Sequence, residues 1–210
     1  DLKTMCDYVI VLYHGGKEHY RYPSPYLQKV CRKMVQKGAD LVVCQHSHCI
    51  GCYEKYEGST VVYGQGNFIF DNSTSEYWKT SLIVRFILNN EFDIEYMPIV
   101  KDGIGVRLAT GQAKSDILNA FQHRSKEILH EGFIEQEYQK FAQSQIQQYL
   151  RKFSGFGKWI SRLDRRVLNG AILKRKYNKN TLLAIQNHIE CEAHRELVIK
   201  GLIRVLMSEE

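Results

Sequence analysis

The hydrophobic positions along this chain change their period twice, and each change marks a different kind of element. Asp7 to His14, DYVIVLYH, is a β-branched and aromatic run with no polar alternation. That pattern predicts a strand buried on both faces. HGGKEHYRYPSP follows as a loop, because Gly15 and Gly16 permit unusual backbone angles and Pro23 and Pro25 exclude a continuous helix. Ser24 is placed to cap a helix with Pro25 at its first position, running to about Lys37 and ended by Gly38. Its apolar residues Leu27, Val30, Cys31, Met34 and Val35 share one face. Leu41 to Cys44 is the next buried strand and runs straight into Gln45-His46-Ser47-His48. Strand, helix and strand in this order predict a βαβ unit with parallel strands. Ligand sites gather at the carboxyl ends of such strands, so His14 and His46 are expected on one edge of the sheet.

Thr60 to Tyr63 reads as a short strand ending in GQGNF. Leu82 to Leu88 and Phe92 to Val100 then alternate with period two around Asn89-Asn90. This predicts an antiparallel hairpin that buries Leu82, Val84, Phe86, Ile94 and Tyr96 together. Near Gly111 the period switches to about three and a half. Residues 115–207 are therefore expected to form three or four helices. The first runs from Ser115 to His130, with Ile117, Leu118, Phe121 and Leu129 as core contacts. The second runs from Phe133 to about Phe153 and is broken by Gly155 and Gly157, and a shorter basic one covers Trp159 to Leu173. The last is capped by Asn180 or Thr181 and reaches Met207, with Leu182, Ile185, Ile189, Leu197, Leu202 and Val205 inside. The fold class expected is α/β (α+β), with an α/β domain over 1–112 and an all-helical region over 113–210.

Composition changes this picture in two places. Hydrophobic residues make up 44% and charged residues 25% of the 210, which excludes wholesale disorder. No apolar run is long enough to span a bilayer. The net charge of +6 resides entirely in residues 113–210, and the stretch 151–179 carries ten Lys or Arg against the single Asp164. Such a stretch is either a solvated helix face or a surface for phosphates, acidic polymers or membrane headgroups. Lysines and arginines there are expected to stay exposed, since burying them unpaired is costly. The six cysteines are scattered, and one C-x-x-C pair, Cys49 and Cys52, does not supply the four ligands of a structural zinc site. They read as reduced thiols, the apolar settings of Cys6, Cys31 and Cys44 marking these as small core hydrophobes.

The candidate chemistry lies at the strand ends. Imidazole is the commonest transition-metal ligand near neutral pH. His46 and His48 form an H-x-H pair, His14 ends the neighbouring strand, and Glu18 and His19 follow four and five residues later. The order and spacing of His14-Gly15-Gly16-Lys17-Glu18, Gly38-Ala39-Asp40, Cys44-Gln45-His46-Ser47-His48, Tyr56 and Tyr63-Gly64-Gln65-Gly66-Asn67-Phe68 resemble the CapA family of bacterial capsule and poly-gamma-glutamate synthesis proteins. The resemblance covers about residues 5–105. The departures are Gly15 in place of a family Trp, which removes an aromatic wall, Ser47 in place of a Pro, and Cys44-Gln45 before the first histidine of the pair, where the family has a Gly.

The resemblance implies a metallophosphoesterase-like layered β-sandwich with flanking helices. It implies His14, His46 and His48 as ligands of a divalent ion (Mn, Zn, Fe or Mg), Glu18 as ligand or acid–base group alongside His14, and Asn67 as a residue holding the loop. The family's early motifs do not occur in these residues, so the chain is expected to begin partway through the domain. Its site would then be completed by the missing N-terminal half or by a second chain. A complete site would be a metal-dependent hydrolase. The alternative is a non-catalytic polyanion-binding or scaffolding module in surface-polymer assembly, using Arg165, Arg166, Lys174, Arg175 and Lys176. Nucleic acid ranks below an anionic polymer as its partner, because no known motif frames the interleaved aromatics Phe153, Phe156, Trp159 and Tyr177. The residues leave open a cytoplasmic location or surface association through an upstream segment.

Overall fold

The computed structural model describes residues 2–68, 75–88 and 92–207. By packing, the chain divides into two units, Asp1–Lys140 and Phe141–Glu210. The fold is α+β, with two sheets and a helical C-terminal region.

In the first unit, β1 (Ile10–His14) and β2 (Leu41–Gln45) pair in parallel, with His14 opposite Gln45. The crossover is α1 (Pro25–Gln36), whose start is fixed by Ser24 Oγ accepting the Leu27 N–H at 3.1 Å. Its buried stripe is Leu27, Cys31 and Val35. Next to β2 lies β4 (Ser59–Val62), also parallel, and outside it β3 (Tyr53–Tyr56) runs antiparallel, giving the order β1-β2-β4-β3. The β3–β4 turn, Glu57-Gly58, has positive φ at both residues. This hairpin gave little sequence signal because Glu seldom occupies such a turn, where Asn or Asp is usual.

The strand expected over Asp7–His14 is shorter and is not buried on both faces: Leu12 is 76% exposed. β1 is an edge strand, and one of its faces is left open at this point. The central strand β2 does meet the expectation of burial, with Leu41, Val42, Val43 and Cys44 buried, and Val61 and Val62 of the neighbouring β4 are buried too.

The second sheet is β5 (Thr80–Leu88), β6 (Phe92–Asp102) and β7 (Gly105–Leu108), antiparallel throughout. The expected hairpin is present with Val84 opposite Tyr96, and its turn at Asn89-Asn90 lies outside the described residues. Phe86 departs from the expectation at 46% exposure. It lies opposite Ile94 toward the far end of the ladder, where the layer packed on Leu82, Val84 and Tyr96 runs out. Pro98 is tolerated in the middle strand for a local reason. Its partner Leu82 sends its N–H to Gln65 O at 2.7 Å, away from β6, so the pair exchanges no hydrogen bond.

Two apolar layers cover the first sheet. One packs α1 on Val42, Cys44, Val61 and Tyr63, with Ile128 and Ile134 closing over it. The other packs Leu41, Val43 and Val62 against the second sheet and Phe121. Across the first layer, Glu54 is 2% exposed and is held by Arg32 (Nε to Oε1 3.1 Å, Nη2 to Oε2 2.7 Å) and by the Tyr63 hydroxyl. Burial, together with the Glu54 charge, pushes the Tyr63 hydroxyl far above its usual range, so it stays a donor. These bonds tie α1 to β3 and to the end of β4.

Residues 111–207 form six helices rather than three or four. The first, α2 (Gly111–Glu127), starts at Thr110 rather than Ser115 and packs Phe121 between Tyr53 and Tyr96. Leu129 is 65% exposed, and Ile128 takes its place in the core. Then come α3 (Phe133–Ser154), α4 (Lys158–Arg166) and α5 (Ala171–Lys176). The expected last helix is two: α6 (Lys179–Glu190), capped by Asn178 rather than Asn180 or Thr181, and α7 (Glu192–Met207). Cys191 between them takes an extended ψ of 114°, and no Pro or Gly announces the break. Only Ile185 of the expected interior set joins the local core, with Leu150, Leu173 and Tyr177. Leu182, Ile189, Leu197, Leu202 and Val205 are exposed, because no described element covers that side of the pair. Of the basic residues at 151–179 only Arg151 is half-buried, as charge burial requires.

Two outcomes follow. The Asp40 carboxylate accepts the Val9 N–H at 2.7 Å and the Lys3 ammonium at 2.7 and 2.8 Å. Burial opposes its ionisation, but these bonds outweigh it and hold the carboxyl below its ordinary range. A depressed carboxyl contributes stability above its unfolded value, about 3.9, and loses it as pH falls through the folded one. Asp40→Asn should therefore flatten the acid limb of the stability curve below about pH 4 in urea titrations and leave its shape near neutral pH unchanged. Separately, α7 buries no side chain, so its amides should exchange with deuterium well before those of β2 and β4.

Candidate functional site

The parallel register sets the site. With His14 opposite Gln45, Gly15 N–H donates to Gln45 O at 2.8 Å, and His46 emerges one residue beyond. His46 Nδ1 then lies 3.0 Å from His14 Nε2, with the rings edge-on at 4.8 Å. The expectation that both histidines share one sheet edge holds. The backbone bends to allow this: His46, His48 and His19 have φ of 113°, 56° and 58°. These are left-handed values that non-glycine residues seldom adopt, and such strain concentrates at functional sites.

His48 is oriented from behind. Its Nδ1 is 2.7 Å from Asn67 Oδ1, while Asn67 Nδ2 donates to His48 O at 3.3 Å. The second bond fixes which way the amide faces, so the His48 Nδ1–H donates to Asn67 and Nε2 keeps its lone pair. This is how partners behind metal-binding histidines usually work. The loop carrying Asn67 is itself pinned: Ser81 Oγ donates to Gln65 O at 2.7 Å, and Gln65 Nε2 donates to Leu82 O at 3.4 Å. Tight packing continues at Gly64, where a Cβ would stand 2.6 Å from Ser47 Oγ and 2.9 Å from Cys49 O.

An aromatic wall does flank the site, though not from position 15. A side chain at Gly15 would begin 2.3 Å from the Tyr13 ring. Trp78, in the turn Glu76–Trp78, instead stacks on His48 at 5.5 Å and 13°. His19 joins them, 6.2 Å from His48 and 6.1 Å from Trp78, its backbone N–H held by Ser47 O at 2.7 Å. Nothing in the local sequence of SEYWK distinguishes Trp78 from a core tryptophan.

Glu18 is not brought in. It is exposed and its nearest charged partner is Lys17 at 3.8 Å. Among the described residues no three His, Cys, Asp or Glu side chains gather closely enough to hold an ion. The donor set still suits one: two nitrogens bound to a common ion at about 2.0–2.1 Å stand roughly 3 Å apart, the His14–His46 spacing. In the second unit, Arg165, Arg166, Lys174, Arg175 and Lys176 are all exposed. Lys176 is committed to Ser154 O at 2.6 Å and lies over the Phe156 ring. Of the interleaved aromatics, Phe156 and Tyr177 are core contacts, and Phe153 and Trp159 face solvent. The cysteines Cys31, Cys44, Cys49 and Cys52 are buried free thiols, whereas Cys6, expected in the core, is exposed because it lies ahead of β1 rather than in the strand.

The family profile described as bacterial capsule synthesis protein PGA_cap matches residues 1–72. This span contains every histidine and the asparagine just described. Residues 1–72 are similar to the CapA family. Over 88 residues the chain is 33% identical to the capsule biosynthesis protein CapA of Bacillus anthracis, covering 42% of this chain and 21% of that protein. Over 90 residues it is 30% identical to the PGA biosynthesis protein CapA of Bacillus subtilis (strain 168), covering 43% and 24%. The matched region thus spans between a fifth and a quarter of these CapA relatives.

The close approach at Gly64 lies within the matched segment. Gly64→Ala should destabilise the fold by about 1–3 kcal/mol in urea unfolding, because Ser47 and the Cys49 carbonyl must both give way.

Proposed function

We propose that this segment supplies the histidine half of a divalent-metal site in a protein of capsule or poly-gamma-glutamate biosynthesis. One observation carries the reading: His14 and His46 converge to 3.0 Å while Asn67 orients the His48 ring beside them. His14, His46 and His48 would hold the ion, and the remaining ligands would come from a segment or chain outside the described residues. A bound divalent ion would act as a Lewis acid and lower the pKa of a bound water, the basis of a phosphoesterase-type hydrolysis. The chain's own residues act around it. Asn67 fixes the His48 tautomer, Trp78 restricts the ring to one plane and shields one side from water, and Ser47 O holds His19 at the rim. Glu18 is exposed on the same loop and would act as acid–base group or ligand only after that loop closes.

Metal content of the full-length protein tests this. His46→Ala with His48→Ala should remove bound metal and abolish activity, and Asn67→Ala should weaken metal affinity about 10–100-fold with the fold intact. Unchanged metal content in the double variant would overturn the reading.

A further inference from the structure

The second unit carries a surface that the histidine site does not use. α4 is divided into three faces by its spacing. Ser161 and Asp164 face inward. Asp164 is 1% exposed and its Oδ1 accepts the Ile172 N–H at 2.8 Å, which bolts the helix to the start of α5. With that side anchored, Trp159, Leu163 and Val167 line up at four-residue intervals with Ile160 beside them. All are exposed, Trp159 at 81% and Val167 at 69%. Lys158, Arg162 and Arg166, again four apart, form the remaining face together with Arg165, and each is exposed. Over 151–179 no exposed acid offsets these charges, because the single carboxylate is the buried Asp164.

Beside α4 is a cavity of about 500 Å³ lined by Arg151, Lys158, Arg162 and Arg165 together with Phe156 and Trp159. The Arg151 Nε is buried and has no hydrogen-bond partner. The cavity's four cationic side chains and its two aromatic rings suit an anionic oxygen attached to an apolar body.

We propose that this unit docks on an anionic phospholipid bilayer. α4 lies in the plane of the interface with Trp159, Ile160, Leu163 and Val167 toward the acyl boundary, and the cavity takes a headgroup phosphate on Arg151, Arg162 and Arg165. The apolar row decides for lipid over a soluble polyanion. A polyanion would satisfy the arginines and leave an indole and three branched aliphatic side chains in water, whereas an interface satisfies both faces. No helix among the described residues is long and apolar enough to cross a membrane. The proposal stands apart from the metal reading.

The test is co-sedimentation of the full chain with vesicles, either pure phosphatidylcholine or containing roughly 30% phosphatidylglycerol, with circular dichroism confirming that every variant is folded. Binding should require the anionic lipid and weaken with salt. Arg162→Gln with Arg165→Gln should lower affinity about 25-fold, from about fivefold per charge. Trp159→Ala with Leu163→Ala should lower it at least about tenfold, and a blue shift in emission on binding should disappear in Trp159→Phe. Absence of vesicle binding would overturn the proposal. So would vesicle binding indifferent to Trp159→Ala with Leu163→Ala, or equal affinity for soluble poly-gamma-glutamate, either of which would mark a polyelectrolyte surface.

Discussion

The pairing of β1 with β2 is the constraint on which the candidate site rests. Parallel strands in register end on the same side of a sheet, so two residues separated by thirty-two positions arrive together without any contact of their own being needed. An antiparallel pairing of the same two strands would put His14 and His46 at opposite ends of the ladder. What enforces the parallel arrangement is the crossover: a helix capped at Ser24, apolar on one side, and tied to the sheet by the half-exposed Arg32 on the buried Glu54. Charge pairs in a core are weak sources of net stability, but breaking one is expensive. Here the pair fixes the position of α1 more than it adds to the total.

The metal-site reading has two tiers of support within the chain. The histidines meet, and the residues behind them are in order: Asn67 on His48, Gln65 on the second sheet, Ser47 beneath His19. The acidic component is the weak part, since Glu18 points to solvent. The CapA relatives are four to five times longer than the matched region, which is consistent with ligands contributed from elsewhere.

The parts of this structure that were legible in the sequence are those where local pattern and tertiary environment agree. The βαβ unit is one: buried strands read as apolar runs, Ser24-Pro25 reads as a helix start, and both survive in the fold. The β5–β6 ladder is another. Legibility fails where a neighbour makes the decision. Leu12 and Phe86 look like core residues from their own period, and only the extent of the opposing layer leaves them exposed. The β3–β4 hairpin turns on a Glu in a left-handed conformation, which no propensity would favour. The α6–α7 break at Cys191 has no residue that forces it. Trp78 was silent because its role depends on which ring it stacks against, and that ring is thirty positions away.

The left-handed backbone at His19, His46 and His48 has one more consequence. Glycine would adopt those angles without steric cost, and an imidazole at the same place works against the backbone's preference. For a scaffold alone, this edge would be sounder with its histidines replaced. Backbone preference and the proposed metal chemistry are therefore opposed at His46 and His48. A lineage released from the need for this site would be expected to drift there toward glycine or asparagine, while Val42, Val61 and Glu54, which serve the scaffold, would stay as they are. The conformation of three residues thus tells apart what the fold requires from what has been imposed on it.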